Sequence, residues 1–321
     1  MKVLVTGGCG FIGSNFIYYL SEKYPNYKIV NLDLLTYAGK LENVKDLNSN
    51  PNYKFVKGDI SCREFVFDLF KKENFNVVIN FAAESHVDNS IKNPSIFINT
   101  NVLGTQILLD ACLEYGVNRF HQVSTDEVYG DLPLDRKDLL FTEKTHLNPS
   151  SPYSASKASA DLIVKSYNRT FKLNTTISRC SNNYGPRQHE EKLIPLMINK
   201  ALNNEKLPVY GTGENVRDWL HVYDHCAAID CIVNNSKPGK IYNIGSNNEK
   251  SNLDVVKIIL DSLNKDYSLI EYVKDRPGHD LRYAIDSSKI KSELNWEPIY
   301  NFDDGIKETI KWYVQEKIIT K

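Results

Sequence analysis

Thr6-Gly7-Gly8-Cys9-Gly10-Phe11-Ile12-Gly13-Ser14 runs straight out of the β-branched stretch Lys2–Thr6 (KVLVT), and its reading decides the fold. A short apolar run of this kind is a buried strand. Glycines at 7, 10 and 13 let the backbone turn sharply, approach a pyrophosphate and pack the following helix against the sheet. The start of that helix presents unpaired N–H groups and a partial positive charge to phosphate. A strand-to-helix turn without chemistry can carry the same glycines, so the next element matters. Lys28–Asp33 (KIVNLD) reads as the second strand, and Asp33 ends it 20 residues beyond Gly13. A carboxylate at that place accepts hydrogen bonds from a ribose and repels a 2′-phosphate, which favours NAD over NADP.

Outward from this unit, Tyr53–Lys57 (YKFVK), residues 77–83 (VVINFAA) and residues 120–125 (FHQVST) read as further strands, and residues 96–115 carry helical apolar spacing. Continuous apolar strands alternating with helices predict an α/β protein: a Rossmann-like doubly wound parallel sheet with a smaller mixed α/β substrate-binding domain. The expected division gives residues 1–180, plus a returning segment near 215–245, to the NAD-binding domain. Residues 181–214 and 246–321 form the second. Residues 183–186 (NYGP), 208–214 (PVYGTGE) and 275–280 (DRPGHD) read as loops.

The bulk properties exclude several classes. The 321 residues are 41% hydrophobic and carry a net charge of -1, which gives no electrostatic reason to expect nucleic acid or an anionic membrane as partner. No apolar run is read as a membrane helix, and a first strand beginning at Lys2 leaves no room for a signal peptide. Six scattered cysteines without a CxxC pair point to reduced thiols and a cytoplasmic protein. His221 and His225 form an HxxxH pair, but no third ligand is evident and no metal is expected.

Ligands of parallel sheets bind beyond the carboxyl ends of the strands. Asp59 and Ile60 follow strand three and are expected to flank adenine, and Ala82, Ala83, Glu84 and Ser85 follow strand four and are expected to line the cofactor channel. Tyr153 and Lys157 lie four residues apart in SSPYSASKASAD, hence on one helical face, with Ser151 as N-cap and Pro152 in the first turn. A nearby ammonium, a helix N-terminus and an oxidised nicotinamide all favour a phenolate that can take a proton from a sugar hydroxyl. Ser124–Gly130 (STDEVYG) sets Thr125, Asp126 and Glu127 at the same edge. Dehydration needs one group to protonate a leaving hydroxyl and another to remove a carbon-bound proton, and two acids supply both. A polar loop capping the next helix is the bland alternative.

The blocks TGGCGFIGS, LTYAGK, AAESHVDNSI, STDEVYGD, SPYSASKASAD, RCSNNYGPR, EKLIP, RDWLHVYDH and DRPGHDLRYAID run from Lys2 to Asp286. Together they resemble the dTDP-glucose 4,6-dehydratases, a branch of the extended short-chain dehydrogenase/reductases in the NAD-dependent epimerase/dehydratase family. The resemblance implies a lyase that oxidises C4 of the hexose, eliminates water across C5 and C6, and returns hydride to C6, in deoxysugar synthesis such as that of dTDP-rhamnose. It implies Tyr153 as base, Thr125 bonding the same hydroxyl, Lys157 lowering the Tyr153 pKa, Glu127 taking the C5 proton and Asp126 protonating the C6 hydroxyl. It adds Phe11, Ile12, Leu34, Thr36, Thr100 and Asn183 to the NAD contacts. It implies Lys192, Arg217 and Arg276 at the diphosphate, and His86, Asn182, Leu193, Pro208, Tyr210, Asn252 and His279 elsewhere on the nucleotide-sugar. It further implies a homodimer built through helices near 95–115 and 153–171. The chain departs from the family at Arg187-Gln188-His189-Glu190-Glu191, where an aromatic and a proline are usual before EKLIP. Alternatives of the same superfamily are a UDP-glucose 4,6-dehydratase and a nucleotide-sugar 4-epimerase; the epimerase has no use for Asp126 and Glu127. A non-catalytic NAD-binding protein has no use for any of the four acid–base groups.

Overall fold

The structure, a computed structural model, describes residues 1–275 and 279–319. The chain opens with β1 (Lys2–Thr6), α1 (Phe11–Lys23), β2 (Lys28–Asp33), β3 (Tyr53–Lys57), α2 (Arg63–Glu73) and β4 (Val77–Asn80). Next come α3 (Val87–Lys92), α4 (Pro94–Phe97), a π-helical turn over Ile98–Gly104 and α5 (Thr105–Glu114). β5 (Arg119–Thr125), α6 (Pro152–Phe171), β6 (Thr175–Cys180) and β7 (Asn182–Tyr184) follow, then α7 (Leu193–Leu202), β8 (Leu207–Tyr210), β9 (Val216–His221) and α8 (Val222–Asn235). The chain closes with β10 (Ile241–Ile244), β11 (Glu249–Ser251), α9 (Asn252–Ser262), β12 (Ile270–Val273), α10 (Ser288–Leu294) and α11 (Phe302–Ile319).

Seven strands form one sheet in the order β10-β6-β5-β4-β1-β2-β3, and every neighbouring pair is parallel. The order of connection reverses between β1 and β4, so a crevice opens beyond their carboxyl ends. One face carries α2, α5 and α6 over Leu4, Val30, Val78 and Phe120; the other carries α1 and α8 over Val3, Val5, Ile29 and Ile79. Alternate residues of each strand feed opposite cores, as the two-residue strand period requires. A second assembly pairs β7, β9 and β11, and separately β8 with β12. Its core joins Ile194 and Ile198 of α7, Val255 and Ile259 of α9, and Phe302 and Ile306 of α11 around Trp219.

Three sequence expectations are corrected. Residues 81–83 do not extend the fourth strand: β4 ends at Asn80, and the backbone at Ala82 turns over Gly7, whose added Cβ would lie 2.7 Å from the Ala82 nitrogen. Residues 183 and 184 of the first stretch read as a loop belong to β7, beside β9, and residues 208–210 of the second belong to β8. The helical run Pro94–Glu114 is 21 residues long and contains an 18-residue stretch of mean hydropathy 1.3, which meets the length and composition of a membrane span. Half of it is buried in the protein, and its buried polar side chains are committed to internal partners. Asn101, on the π-helical turn, donates to the Glu84 carbonyl (3.0 Å) and the Ser156 hydroxyl (2.8 Å) and accepts from the Glu84 N–H (2.8 Å). The bulge thereby ties the loop after β4 to α6, in keeping with the use of π-turns near sites.

Candidate active site

A cleft of roughly 310 Å³ lies beyond the carboxyl ends of the sheet strands. Its first wall is the glycine turn. Gly7 takes φ +68 and donates to the Leu32 carbonyl at 2.8 Å, and Gly13 lies so close to the Gly7 carbonyl that a Cβ has no room. α1 starts at Phe11 with no acidic residue in its first turn, which leaves the positive end of its dipole uncancelled. Asp33 is buried and accepts from the N–H groups of Cys9 (2.9 Å) and Leu35 (2.8 Å), which fixes the carboxylate at the cleft edge with lone pairs to spare. Burial raises its pKa, opposed by those two bonds. These features fit a dinucleotide: a close-approach turn for a diphosphate and a held acceptor for ribose hydroxyls.

Every residue expected at the cofactor lines this one cleft: Gly7, Gly10, Phe11, Ile12, Gly13, Asp33, Leu34, Thr36, Asp59, Ile60, Ala82, Ala83, Glu84, Ser85, Thr100, Tyr153, Lys157 and Asn183. Thr125, Asp126 and Glu127 line it too. Two elements deliver the reactive groups. α6 begins at a capping box in which Ser151 and Ser154 satisfy each other's backbone N–H groups, so the first turn holding Tyr153 is fixed. β5 ends at Thr125, which caps the short 3₁₀ turn Asp126–Tyr129 through the Glu127 N–H (3.3 Å).

The electrostatics differ between these groups. Asp126 is 1% exposed, and its Oδ1 accepts from the Thr125 hydroxyl at 3.3 Å. Burial first, then the charges of Glu127 and Asp218, push it well above the usual carboxylate range, against Arg217 and Thr125. Burial thus favours the protonated form of Asp126, the form that can donate a proton. Lys157 is buried and its ammonium donates to the Val123 carbonyl at 2.7 Å; burial lowers its pKa, and Asp161 and Cys180 raise it. Tyr153 departs from expectation. Burial foremost, then Glu127, Cys180 and Asp126, push its phenol upward, while the Thr125 hydrogen bond draws it down. A phenol enclosed beside carboxylates gains no net help toward ionisation from its own surroundings.

The substrate expectations divide into two places. Asn182 and Lys192 line the cleft, and the Lys192 ammonium reaches the Ser85 carbonyl at 3.3 Å. His86 caps α3 through the Asn89 N–H and lies 3.4 Å from Glu191. Leu193 opens α7 beside Lys192. Pro208, Tyr210, Arg217, Asn252 and His279 do not line the cleft; they lie on or beside β8, β9 and α9. There the Tyr210 and His279 rings stand 6.3 Å apart, and the buried Arg217 guanidinium donates to the carbonyls of Asp280 (2.9 Å) and Val216 (2.8 Å) over the Tyr283 ring. Arg276 lies outside the described residues.

Sequence reasoning missed part of the lining. Gln188, His189 and Glu191, from the loop flagged only as a departure, face the cleft. Gln188 donates to the Asn183 carbonyl (2.9 Å), and Arg187, at φ +69, sets its guanidinium over Tyr18. The departure itself was the available signal. His221 and His225 do not converge on a common ligand. His225 shares a 2.9 Å bond with the Asn183 side chain, and the His221 ring stacks on Tyr300. Burial lowers them to about 3 and about 4, so both rings are neutral. Among the described residues no three His, Cys, Asp or Glu side chains could hold a metal ion.

Comparison with known proteins fits this geometry. Residues 4–309 match the family model described as GDP-mannose 4,6 dehydratase. The chain is 51% identical to the low-salt glycan biosynthesis protein Agl12 of Haloferax volcanii, over 98% of this chain and 99% of that protein. It is 48% identical to a dTDP-glucose 4,6-dehydratase of Escherichia coli, over 99% of this chain and 94% of that one. The crystal structure of dTDP-glucose 4,6-dehydratase from Bacillus anthracis in complex with NAD superposes with a TM-score of 0.92 at 51% identity, covering 99% and 98% of the two chains.

Proposed function

Because the chain belongs to the GDP-mannose 4,6-dehydratase family, we propose that it is an NAD-dependent hydro-lyase that converts dTDP-glucose to dTDP-4-keto-6-deoxyglucose and water. One observation carries the reading: the buried Asp126, whose carboxyl burial pushes upward, and the adjacent Glu127 share a cleft with Tyr153, Lys157 and the glycine turn. An epimerase needs the last three but no acid pair.

In this reading the glycine turn, the start of α1 and Asp33 hold the dinucleotide, and Tyr153 removes the proton of the C4 hydroxyl while Thr125 orients that hydroxyl. NAD, held there in its oxidised form, would supply the acceptor for the C4 hydride and the donor that returns it to C6, together with a positive charge that favours the phenolate. Lys157 adds a second positive charge near Tyr153, so the upward push described above is offset only in the complex. The C4 ketone acidifies C5; Glu127 removes the C5 proton, and Asp126 gives its proton to the C6 hydroxyl, which leaves as water. Glu127 then returns a proton to C5. Lys192, Arg217 and Arg276 are assigned to the diphosphate, and His86, Asn182, Leu193, Pro208, Tyr210, Asn252 and His279 to sugar and base. The placement of Asn182 and Lys192 in the cleft supports this path.

We further assign residues 1–180 with a returning segment near 215–245 to the NAD domain and 181–214 with 246–321 to the substrate domain; β9, at the start of the returning segment, pairs into the second assembly. The return of α8 and β10 to the large sheet supports the division. A cytoplasmic homodimer feeding deoxysugar synthesis, such as that of dTDP-rhamnose, completes the reading. The exposed Ile98, Leu103 and Leu162 favour dimerisation, and the free cysteines a reducing compartment. The deciding experiment incubates purified protein with dTDP-glucose and, separately, UDP-glucose. Release of the 4-keto-6-deoxy product from dTDP-glucose, seen by its absorbance in alkali, is expected. Epimerised sugar without water loss, or no product from either, overturns the assignment.

A further inference from the structure

Behind the reactive groups lies a buried ionic network to which the mechanism above gives no role. Asp161, four residues after Lys157 on α6 and so on its helical face, is fully buried. Its Oδ2 accepts from Arg179 Nε of β6 at 2.8 Å, and its Oδ1 has no hydrogen-bond partner. Arg179, 2% exposed, donates through Nη1 to the Tyr129 hydroxyl at 2.9 Å, with its guanidinium 4.9 Å from that ring. Tyr129 closes the turn that carries Asp126 and Glu127, and its hydroxyl donates to Asn243 Oδ1 of β10 at 2.7 Å. Asn243 in turn donates to the Phe141 carbonyl and, through its backbone N–H, to Glu143. One chain of bonds therefore joins the helix of Tyr153 and Lys157 to the turn of the acid pair.

Burying three ions is costly unless their charges are matched. Lys157 and Arg179 are cations and Asp161 is the anion paired with Arg179, so the three buried ions carry one positive charge in excess, set against the carboxylates that act on Tyr153. We propose that Asp161 and Arg179 are positioning residues of the reaction: Asp161 keeps the Lys157 ammonium charged, and Arg179 locks α6 in register with the Asp126–Tyr129 turn. Around Lys157 and Asp161 the other ionisable groups are Tyr153 on α6, Arg179 and Cys180 on β6, and Asp126, Glu127 and Tyr129 on the turn; Glu143 and Lys289 lie beyond Arg179 and Tyr129. Among the causes acting on Lys157, burial works against its charge and Asp161 foremost works for it.

The inference rests on the dehydratase reading, and its test separates the two. Asp161→Asn keeps the shape and an acceptor for Arg179 but removes the anion. The alkaline limb of its turnover–pH profile is expected to move down by about one unit, with NAD still bound. Tyr129→Phe keeps the ion pair but cuts the link to the turn. Its kcat is expected to fall about tenfold with KM and the alkaline limb unmoved, as for a group acting in the transition state alone. An alkaline limb that stays in place in Asp161→Asn, or a parental kcat in Tyr129→Phe, overturns the corresponding role; if Asp161→Asn does not fold, Tyr129→Phe still decides the second. Absence of turnover in the parent protein counts against the dehydratase reading alone. Tyrosinate absorbance, titrated with and without Tyr153→Phe, then tests the network without substrate. Tyr153 is expected to ionise at higher pH in Asp161→Asn, and an unmoved titration overturns the proposal.

Discussion

Asp126 is set to trade stability for reactivity. In the folded chain its carboxyl titrates well above its usual range, while in the unfolded chain it returns to about 3.9. Folding therefore takes up a proton between those two values. The stability Asp126 contributes is greatest below the unfolded value and declines as pH climbs toward the folded one. Asp126→Asn carries no proton to lose. The variant is expected to melt higher than the parent at pH 7, with a gap that widens between pH 4 and 7, while turnover falls roughly 10²–10⁴-fold and NAD stays bound. Equal turnover would remove Asp126 as the acid; a gap that narrows with rising pH would contradict its neutral state. Residue identity made this group a candidate, because dehydration needs an acid and a base and two adjacent acids follow a strand, although a polar capping loop reads the same way. Its raised pKa was not legible, since burial by the folded chain is the largest cause and Asp218 is distant in sequence. Asp161 and Arg179 were not singled out, because a charge within a helical stretch reads as surface until the strand that buries it is placed.

The strand–turn–helix unit of β1 and α1 tolerates little change. At Gly13 a Cβ would press on the Gly7 carbonyl and lie 2.9 Å from the Gly8 Cα, both backbone atoms that cannot swing aside. Gly13→Ala is expected to weaken NAD binding at least about tenfold, roughly 1.4 kcal/mol, and to abolish the rise in melting temperature on adding NAD. Unchanged affinity by calorimetry would show that the turn can open without cost. At this scale the first three strands were readable to the residue: β1 and β2 are buried apolar runs, and β3 places Phe55 and Val56 between two lysines. The three-residue strands β7 and β11 were not, since they take their form from pairing with β9 rather than from a local pattern. The loop carrying Gln188, His189 and Glu191 was legible as a departure but not as a wall of the cleft. Its place is set by contacts to Asn15, Asn183 and Tyr313 contributed by separate elements.

For the molecule as a whole, the outer surfaces of the 94–114 helical run and of α6 expose Ile96, Ile98, Leu103 and Leu162. If this is the face through which two copies meet, Leu162→Asp is expected to give a monomer at micromolar concentration by light scattering. An unchanged dimer mass would take α6 out of the contact. The doubly wound sheet was legible at this scale because the alternation of strand and helix admits few other solutions. The large sheet also sets an order on synthesis. β6 pairs with β5 on one side and with β10 on the other, and β10 ends only at Ile244. Until that segment has left the ribosome, β6 is a bare edge of a parallel sheet, the kind of surface that recruits stray chains. Translation past residue 244 is thus the step at which the nascent protein stops being a hazard to its neighbours, and messages truncated before it should yield aggregates rather than a smaller folded protein.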